Sequence, residues 1–253
     1  MNPRNPRRPE SMTATDREMI SRLPLFGALT EEYRHKLLAT AILREVEAGD
    51  ILFGQGNPPE YLHVLLKGAV ELRGADRLGN EAIVEVVQPP DCFILAAVVT
   101  NAPLLMGARA LEASRLLLIP ADHLRQELHA EPALALALLG AMASHYRGMV
   151  RQIKDLKLRT SVERLGSFLV QLAREQQSSG QIQLPYPKRV LADRMGITPE
   201  HLSRAFARLR ERGVHMRGSR VVIDDVETLA AYCRVDTVLD SVERELRVPG
   251  TGV

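Results

Sequence analysis

The chain has 253 residues, enough for two domains with their own cores plus tails. Its 33 lysines and arginines nearly balance 31 acidic residues, for a net charge of +2, so any affinity for a polyanion must come from a local patch. Two cysteines, Cys92 and Cys233, exclude a disulfide framework and a four-thiolate iron–sulfur cluster within one chain, and they suit a reducing cytoplasm.

Residues 1–19 read as a disordered tail. Its start carries proline and arginine with no apolar run behind them, so neither a signal peptide nor an anchor is expected. No stretch is expected to span a bilayer, and no membrane partner is expected. A sensor domain is predicted over 20–131. Thr30 is a plausible N-cap for a helix over 31–41. Short apolar strands are then predicted over 42–47, 51–53, 61–66, 69–73, 82–87 and 114–119, separated by turns such as Ala48-Gly49-Asp50 and Gln88-Pro89-Pro90-Asp91. Their even spacing predicts a small antiparallel barrel or β-roll, hence an α+β protein. A helical stretch starts after Pro120.

Pro132 opens a long helix, assigned 132–159. Leu139, Met142, Tyr146, Met149, Ile153 and Leu156 step by three and four alternately, the a/d seam of a two-stranded coiled coil, so a homodimer is expected. Packing of the same stripe onto its own roll is the alternative.

Residues 160–236 hold the densest signal. From Lys188 the small Ala192 falls fifth, where two helices would cross, and Gly196 falls ninth, at the turn. Leu191, Met195, Ile197, Leu202 and Ala205 occupy inward positions, so apolar period and turn glycine agree on a helix-turn-helix. Thr198 is placed to cap the second helix, with Pro199 following at its first position. Glu200, Ser203 and Arg204 share one polar side near that helix's N-terminus, the end that meets base edges in a major groove. Residues 212–223 read as two short strands around a Gly-Ser turn, a wing whose Arg217 and Arg220 suit phosphates. Lys188, Arg189, Thr198, His201 and Arg208 are the other expected backbone contacts. Double-stranded DNA is the expected partner, and 237–253 reads as a tail.

Roll, long helix and winged helix-turn-helix in this order resemble the CRP/FNR family of bacterial transcription regulators, over about residues 21–236. Gly49, Gly56 and Gly68 match the family's turn glycines, and Glu200-His201-Leu202-Ser203-Arg204 looks like the E-x-x-S-R signature of the FNR branch. The resemblance implies that Arg204 bonds guanine, Glu200 accepts from a cytosine amine and Ser203 meets a thymine in a TTGAT-N4-ATCAA palindrome. It further implies a homodimer, RNA polymerase as a partner, and a small effector in the sensor domain.

The departures narrow that effector. Cyclic-AMP binders of the family carry Gly-Glu-Leu and a later Arg-Ser, whereas this chain has Phe93-Ile94-Leu95-Ala96-Ala97 and Met106-Gly107. A buried phosphate would lack a cation there, so cAMP is not expected. What remains resembles the cysteine-poor DNR/NNR/NarR group, which implies nitric oxide sensed through haem, or a nitrogen oxyanion. The expected pocket is Phe93, Leu95, Met106, Met142 and His145, with His35, His63, His123, His129 and His145 as candidate iron ligands beside Met106 or Met142. Other functions are weighed too. The hinge over 158–161 would re-aim the DNA helices on effector binding, whereas a vestigial sensor would leave an effector-independent DNA binder. A cupin-like metal enzyme would need a His-x-His or similar pair, and His63 is followed by Val64-Leu65, so no catalysis is expected.

Overall fold

The computed structural model describes residues 12–235, which form two compact units, the first running to His145 and the second starting at Tyr146. Residue 236 and the expected tail over 237–253 lie outside the described residues, as do residues 1–11.

The first unit begins earlier than the sequence suggested. Helix α1 (Ala14–Arg22) lies largely within the stretch expected as tail, because Thr13 and Asp16 form a reciprocal capping box that satisfies two free donors. Helices α2 (Pro24–Gly27) and α3 (Glu31–Leu38) follow; Thr30 caps α3 by accepting from the Tyr33 amide at 3.3 Å, and α3 stops three residues short of the expected end.

The roll consists of β1 (Ile42–Val46), β2 (Ile51–Phe53), β3 (Tyr61–Lys67), β4 (Val70–Ala75), β5 (Glu81–Val87), β6 (Asp91–Phe93), helix α4 (Leu95–Thr100), β7 (Gly107–Ala110) and β8 (Ser114–Pro120). The strands pair antiparallel in two four-stranded sheets, β1-β8-β3-β6 and β2-β7-β4-β5. Strands β6 and β7 were missed by the sequence reading. One is only three residues long and directly follows a Pro-Pro pair, and the other, Gly-Ala-Arg-Ala, is poor in strand formers.

The pleat divides the core. From β3, Leu62, Val64 and Leu66 enter a cluster shared with the helices, while Leu65 enters the cluster between the sheets; β8 splits Leu117 and Ile119 from Leu116 and Leu118 in the same way. Each such leucine, fully buried, stabilises the fold by roughly 1.5–3 kcal/mol. Gly68, at φ +90°, lets β4 start against β8, since a Cβ there would approach the Ala113 carbonyl to 2.8 Å. On β4 the buried Glu71 is held by Arg73 at 3.0 Å and Arg109 at 2.5 Å, so its charge is paired.

After α5 (Ala121–Ala130), helix α6 (Pro132–Leu158) runs 27 residues. Its first half buries Leu134, Ala137, Leu138 and Ala141 in the helix-side core. By length and composition α6 is apolar enough to cross a bilayer, which corrects the expectation that no stretch is. Buried residues in the first half and the exposed seam, which starts at Leu139 and runs to Leu156, together account for that apolarity.

The second unit holds α7 (Ser161–Glu175), opened by a Thr160–Glu163 capping box, then β9 (Gln181–Gln183), α8 (Lys188–Arg194), α9 (Pro199–Arg210), β10 (Val214–Arg217), β11 (Arg220–Ile223) and α10 (Val226–Tyr232). Helix α7 packs against both α9 and α10, and the sheet order is β10-β11-β9. The third strand and α10 were not read from the sequence.

Candidate nucleic-acid interface

Helices α8 and α9 meet through Leu191, Ala192, Leu202, Ala205 and Leu209, all buried. Ala192 is 0% exposed, so the fifth position of the unit leaves room for nothing larger. Gly196 turns the chain at φ +64°, a left-handed conformation suited to glycine, and its Cα faces Leu156 of α6, whose Cδ2 a Cβ would meet at 3.1 Å. Arg164 on α7 donates to the Met195 carbonyl at 2.9 Å and to the Arg159 carbonyl at 2.8 Å. One guanidinium therefore ties the turn of the helix-turn-helix to the 158–161 segment between α6 and α7.

The second helix starts as the sequence indicated. Thr198 accepts from the His201 amide at 3.3 Å, and Pro199 occupies the first position. Glu200, Ser203 and Arg204 are exposed together on α9, with His201 and Arg208 exposed beside them, while Leu202, Ala205 and Leu209 face inward. The neighbouring Thr198 hydroxyl holds the Glu200 carboxyl below the usual carboxylate range, so it is an anion ready to accept. Ser203 donates its hydroxyl proton to the Pro199 carbonyl at 3.0 Å, which leaves its lone pairs and Cβ for a partner.

Two further features resemble local sacrifices for anion contact. Lys188 and Arg189 are exposed in the first turn of α8, where the helix dipole disfavours cations. In the wing, Arg217 and Arg220 sit directly opposite across β10 and β11, a like-charge pairing that a bare hairpin disfavours. Gly218, at φ +66°, makes their turn, and Gln183 of the missed strand β9 steadies it by donating to Ser219 at 2.6 Å. Spacing alone gave β9 no signal, because Gln-Ile-Gln is a single alternation. Residues 188, 189, 198, 200, 201, 203, 204, 208, 217 and 220 thus all fall within this unit, all of them exposed.

Two family models match the chain. A cyclic nucleotide-binding domain covers residues 43–131 and a Crp-like helix-turn-helix domain covers 163–232, together more than half of the sequence. The chain belongs to the CRP/FNR family. It is a DNA-binding transcription regulator of that family's type. Among the CRP/FNR relatives, a CRP-like cAMP-activated global transcriptional regulator of Mycobacterium tuberculosis is 25% identical over 74% of this chain and 85% of its own. The solved structure of FixK2 from Bradyrhizobium japonicum shares the fold at TM-score 0.67 and 23% identity, over 76% of this chain and 96% of its own. DNR from Pseudomonas aeruginosa is similar at 25% identity and TM-score 0.50, over 88% of this chain and 99% of its own.

The CRP/FNR sensor residues expected around an effector do not gather into one pocket. Phe93, 3% exposed, is core between the two sheets with Met106 packed on the same cluster, while Leu95, 2% exposed, is core on the helix side with Met142 packed there. The reversal of side comes from Ile94, whose left-handed backbone (φ 62°) ends β6 and starts α4. His145 instead faces Asp91, Nε2 to Oδ1 3.5 Å, and that carboxylate raises its pKa.

The candidate iron ligands are scattered. His63 is buried between Phe53 and Phe93 with its Nδ1 3.1 Å from the Tyr61 carbonyl, and burial lowers its pKa to about 4, so it is a neutral core residue. His123 has a buried Nε2 without a hydrogen-bond partner among the described residues, and His129 is exposed near the end of α5. His35 alone of the five lines the cavity of about 750 Å³ beside α1 and α3. Among the described residues, no group of three or more His, Cys, Asp or Glu side chains is placed to hold a metal ion.

In the seam, Leu139 (59%), Tyr146 (67%), Met149 (59%), Ile153 (50%) and Leu156 (48%) are exposed, but Met142 is half-buried against its own chain's core. Five of the six expected positions are therefore open to a partner.

Proposed function

We propose that the protein acts as a homodimer that reads a TTGAT-N4-ATCAA palindrome, with Arg204 on guanine, Glu200 on a cytosine amine and Ser203 beside a thymine. The observation that carries this reading is the shared exposed face of those three side chains at the N-terminal end of α9, each of a type that matches the base edge assigned to it. Two-fold DNA needs a two-fold protein, and the exposed apolar stripe on α6 supplies a surface that a second copy would bury. Lys188, Arg189, Thr198, His201, Arg208, Arg217 and Arg220 would hold phosphates, making affinity fall steeply with salt. The work of such a regulator, with RNA polymerase as its partner, places it in the cytoplasm, and none of its assigned groups performs catalysis.

Fluorescence anisotropy with the palindrome and a scrambled duplex tests the assignment. Loss of a bidentate guanine contact removes roughly 1–3 kcal/mol, about 5- to 150-fold, from the specific complex. Arg204→Ala is expected to lower specific affinity by that factor and leave the scrambled duplex nearly unaffected; equal losses on both would refute it.

Control by nitric oxide or a nitrogen oxyanion is the effector reading carried by the likeness to DNR. The residues first assigned to haem do not fit that group, since Phe93 and Leu95 fill separate cores and His63 has aromatic rings close by. Nor do they fit cAMP, with the apolar run Phe93-Ile94-Leu95-Ala96-Ala97 and Met106 where an acid and a cation would be needed. A regulator with no effector at this place is a second reading, and the filled core favours it.

A further inference from the structure

The cavity beside α1 and α3 has the build of a ligand site, and the DNA-reading function makes no use of it. Its volume, about 750 Å³, falls within the roughly 300–1,000 Å³ of small-molecule pockets. Its floor is apolar: Ile20 is 0% exposed, Leu38 7% and Ala41 2%. Around this floor stand Arg17, Arg34 and His35 with Glu18 and Glu31.

The charges are unevenly satisfied. Glu18 is taken by Arg22, one turn along α1, at 2.5 Å. Arg34 uses one N–H on the Phe26 carbonyl at 3.3 Å and keeps its remaining donors. The Arg17 guanidinium makes no hydrogen bond or ion pair among the described residues. With Arg22 counted beside its partner Glu18, three guanidinium groups face the two carboxylates of Glu18 and Glu31, which leaves a single positive charge around the rim. A planar fork of N–H donors matches a carboxylate, and one surplus charge matches a monoanion.

We propose that this cavity binds an amphipathic monocarboxylate, its acid group between Arg17 and Arg34 and its apolar body on Ile20, Leu38 and Ala41. The proposal concerns binding alone and stands whether or not the palindrome assignment is right.

Isothermal titration of the full chain tests it, with decanoate as the probe. Acetate supplies the head without the body, and decyltrimethylammonium the body with the opposite charge. Saturable binding of one decanoate per chain is expected, with both controls at least ten-fold weaker. Arg17→Glu, at an exposed position with no side-chain partner among the described residues, is expected to weaken decanoate at least ten-fold. Ala39→Trp, which fills the mouth from an exposed position, is expected to abolish binding with the circular dichroism unchanged. Absence of saturable decanoate binding, equal binding of the cationic amphiphile, or an Arg17→Glu chain that binds as wild type would each overturn it. Operator anisotropy with and without decanoate then shows separately whether occupancy reaches the DNA helices.

Discussion

Gly166 and Cys233 form a test of how the DNA-binding unit is packed. Gly166 lies inside α7, and a Cβ built there would come within 3.0 Å of the Cys233 Sγ and 3.5 Å from Leu229 of α10. Cys233 is 0% exposed, so the sulfur has no free space to retreat into. Gly166→Ala gains about 1 kcal/mol of helix propensity. It meets an overpacking penalty of about 3 kcal/mol, the upper part of the usual range, because the obstacle is a fully buried atom. The single variant should therefore lose about 2 kcal/mol. Cys233→Ala alone loses about 1 kcal/mol with the buried sulfur. In the double variant the new methyl occupies the vacated space, so stability should return close to wild type, a coupling of about 3 kcal/mol. Urea unfolding of the full chain, with hydrogen exchange at α7 amides to assign the loss to this unit, measures all four corners. Additive losses, or a Gly166→Ala chain as stable as wild type, would refute the close α7–α10 contact.

Other expectations rest on separate features. An unfolded histidine titrates near 6.5, whereas buried His63 stays neutral down to about 4, so the unfolded chain takes up a proton that the folded one refuses. Stability of the sensor unit should fall by about 3 kcal/mol as pH drops from 6.5 to 4 and then level off; pH-dependent unfolding of His63→Gln should lack that component. Leu139→Asp and Met149→Asp, at exposed positions, should leave the fold intact while reducing dimer and operator affinity together in sedimentation and anisotropy; an unchanged dimer would dismiss the seam. Burial pushes the thiol of Cys233 up to about 11 and that of Cys92 higher, so neither should react with iodoacetamide at pH 8 until urea unfolds the chain.

What the sequence disclosed follows from how local each signal is. The helix-turn-helix was legible because Ala192, Gly196, Thr198 and Pro199 each answer a constraint set within a few residues: a crossing, a left-handed turn, a cap and a first turn. The exposed side of α9 followed from the same periodicity. Strand β9 and helix α10 escaped because three residues of Gln-Ile-Gln carry no period and α10 is held by long-range packing on α7. The effector pocket failed for a related reason. Phe93 and Leu95 look adjacent in an apolar run, but one left-handed residue between them, Ile94, sends them into opposite cores. No hydrophobicity pattern marks that reversal, because isoleucine is a poor candidate for positive φ.

The tie between the long helix and the DNA helices was equally invisible in the sequence, and it bears most on regulation. Leu156 was read as a seam residue, yet its Cδ2 also lies over Gly196, and Arg164 bonds the carbonyls of both Arg159 and Met195. The Leu156–Gly196 contact and the Arg164 guanidinium thus both tie the last turn of α6 and the connection after it to the turn of the helix-turn-helix. A shift of α6 at this end cannot leave the turn before α9 undisturbed. Arg164→Lys offers one ammonium where two N–H groups of a fixed fork now reach two carbonyls, so it should loosen the tie without removing the charge. Its expected signature is a broader distribution of spin-label distances between α6 and α9 in the free protein, with sensor-unit stability unchanged. An unaltered distribution would mean that packing around Leu156 alone holds the two helices in register.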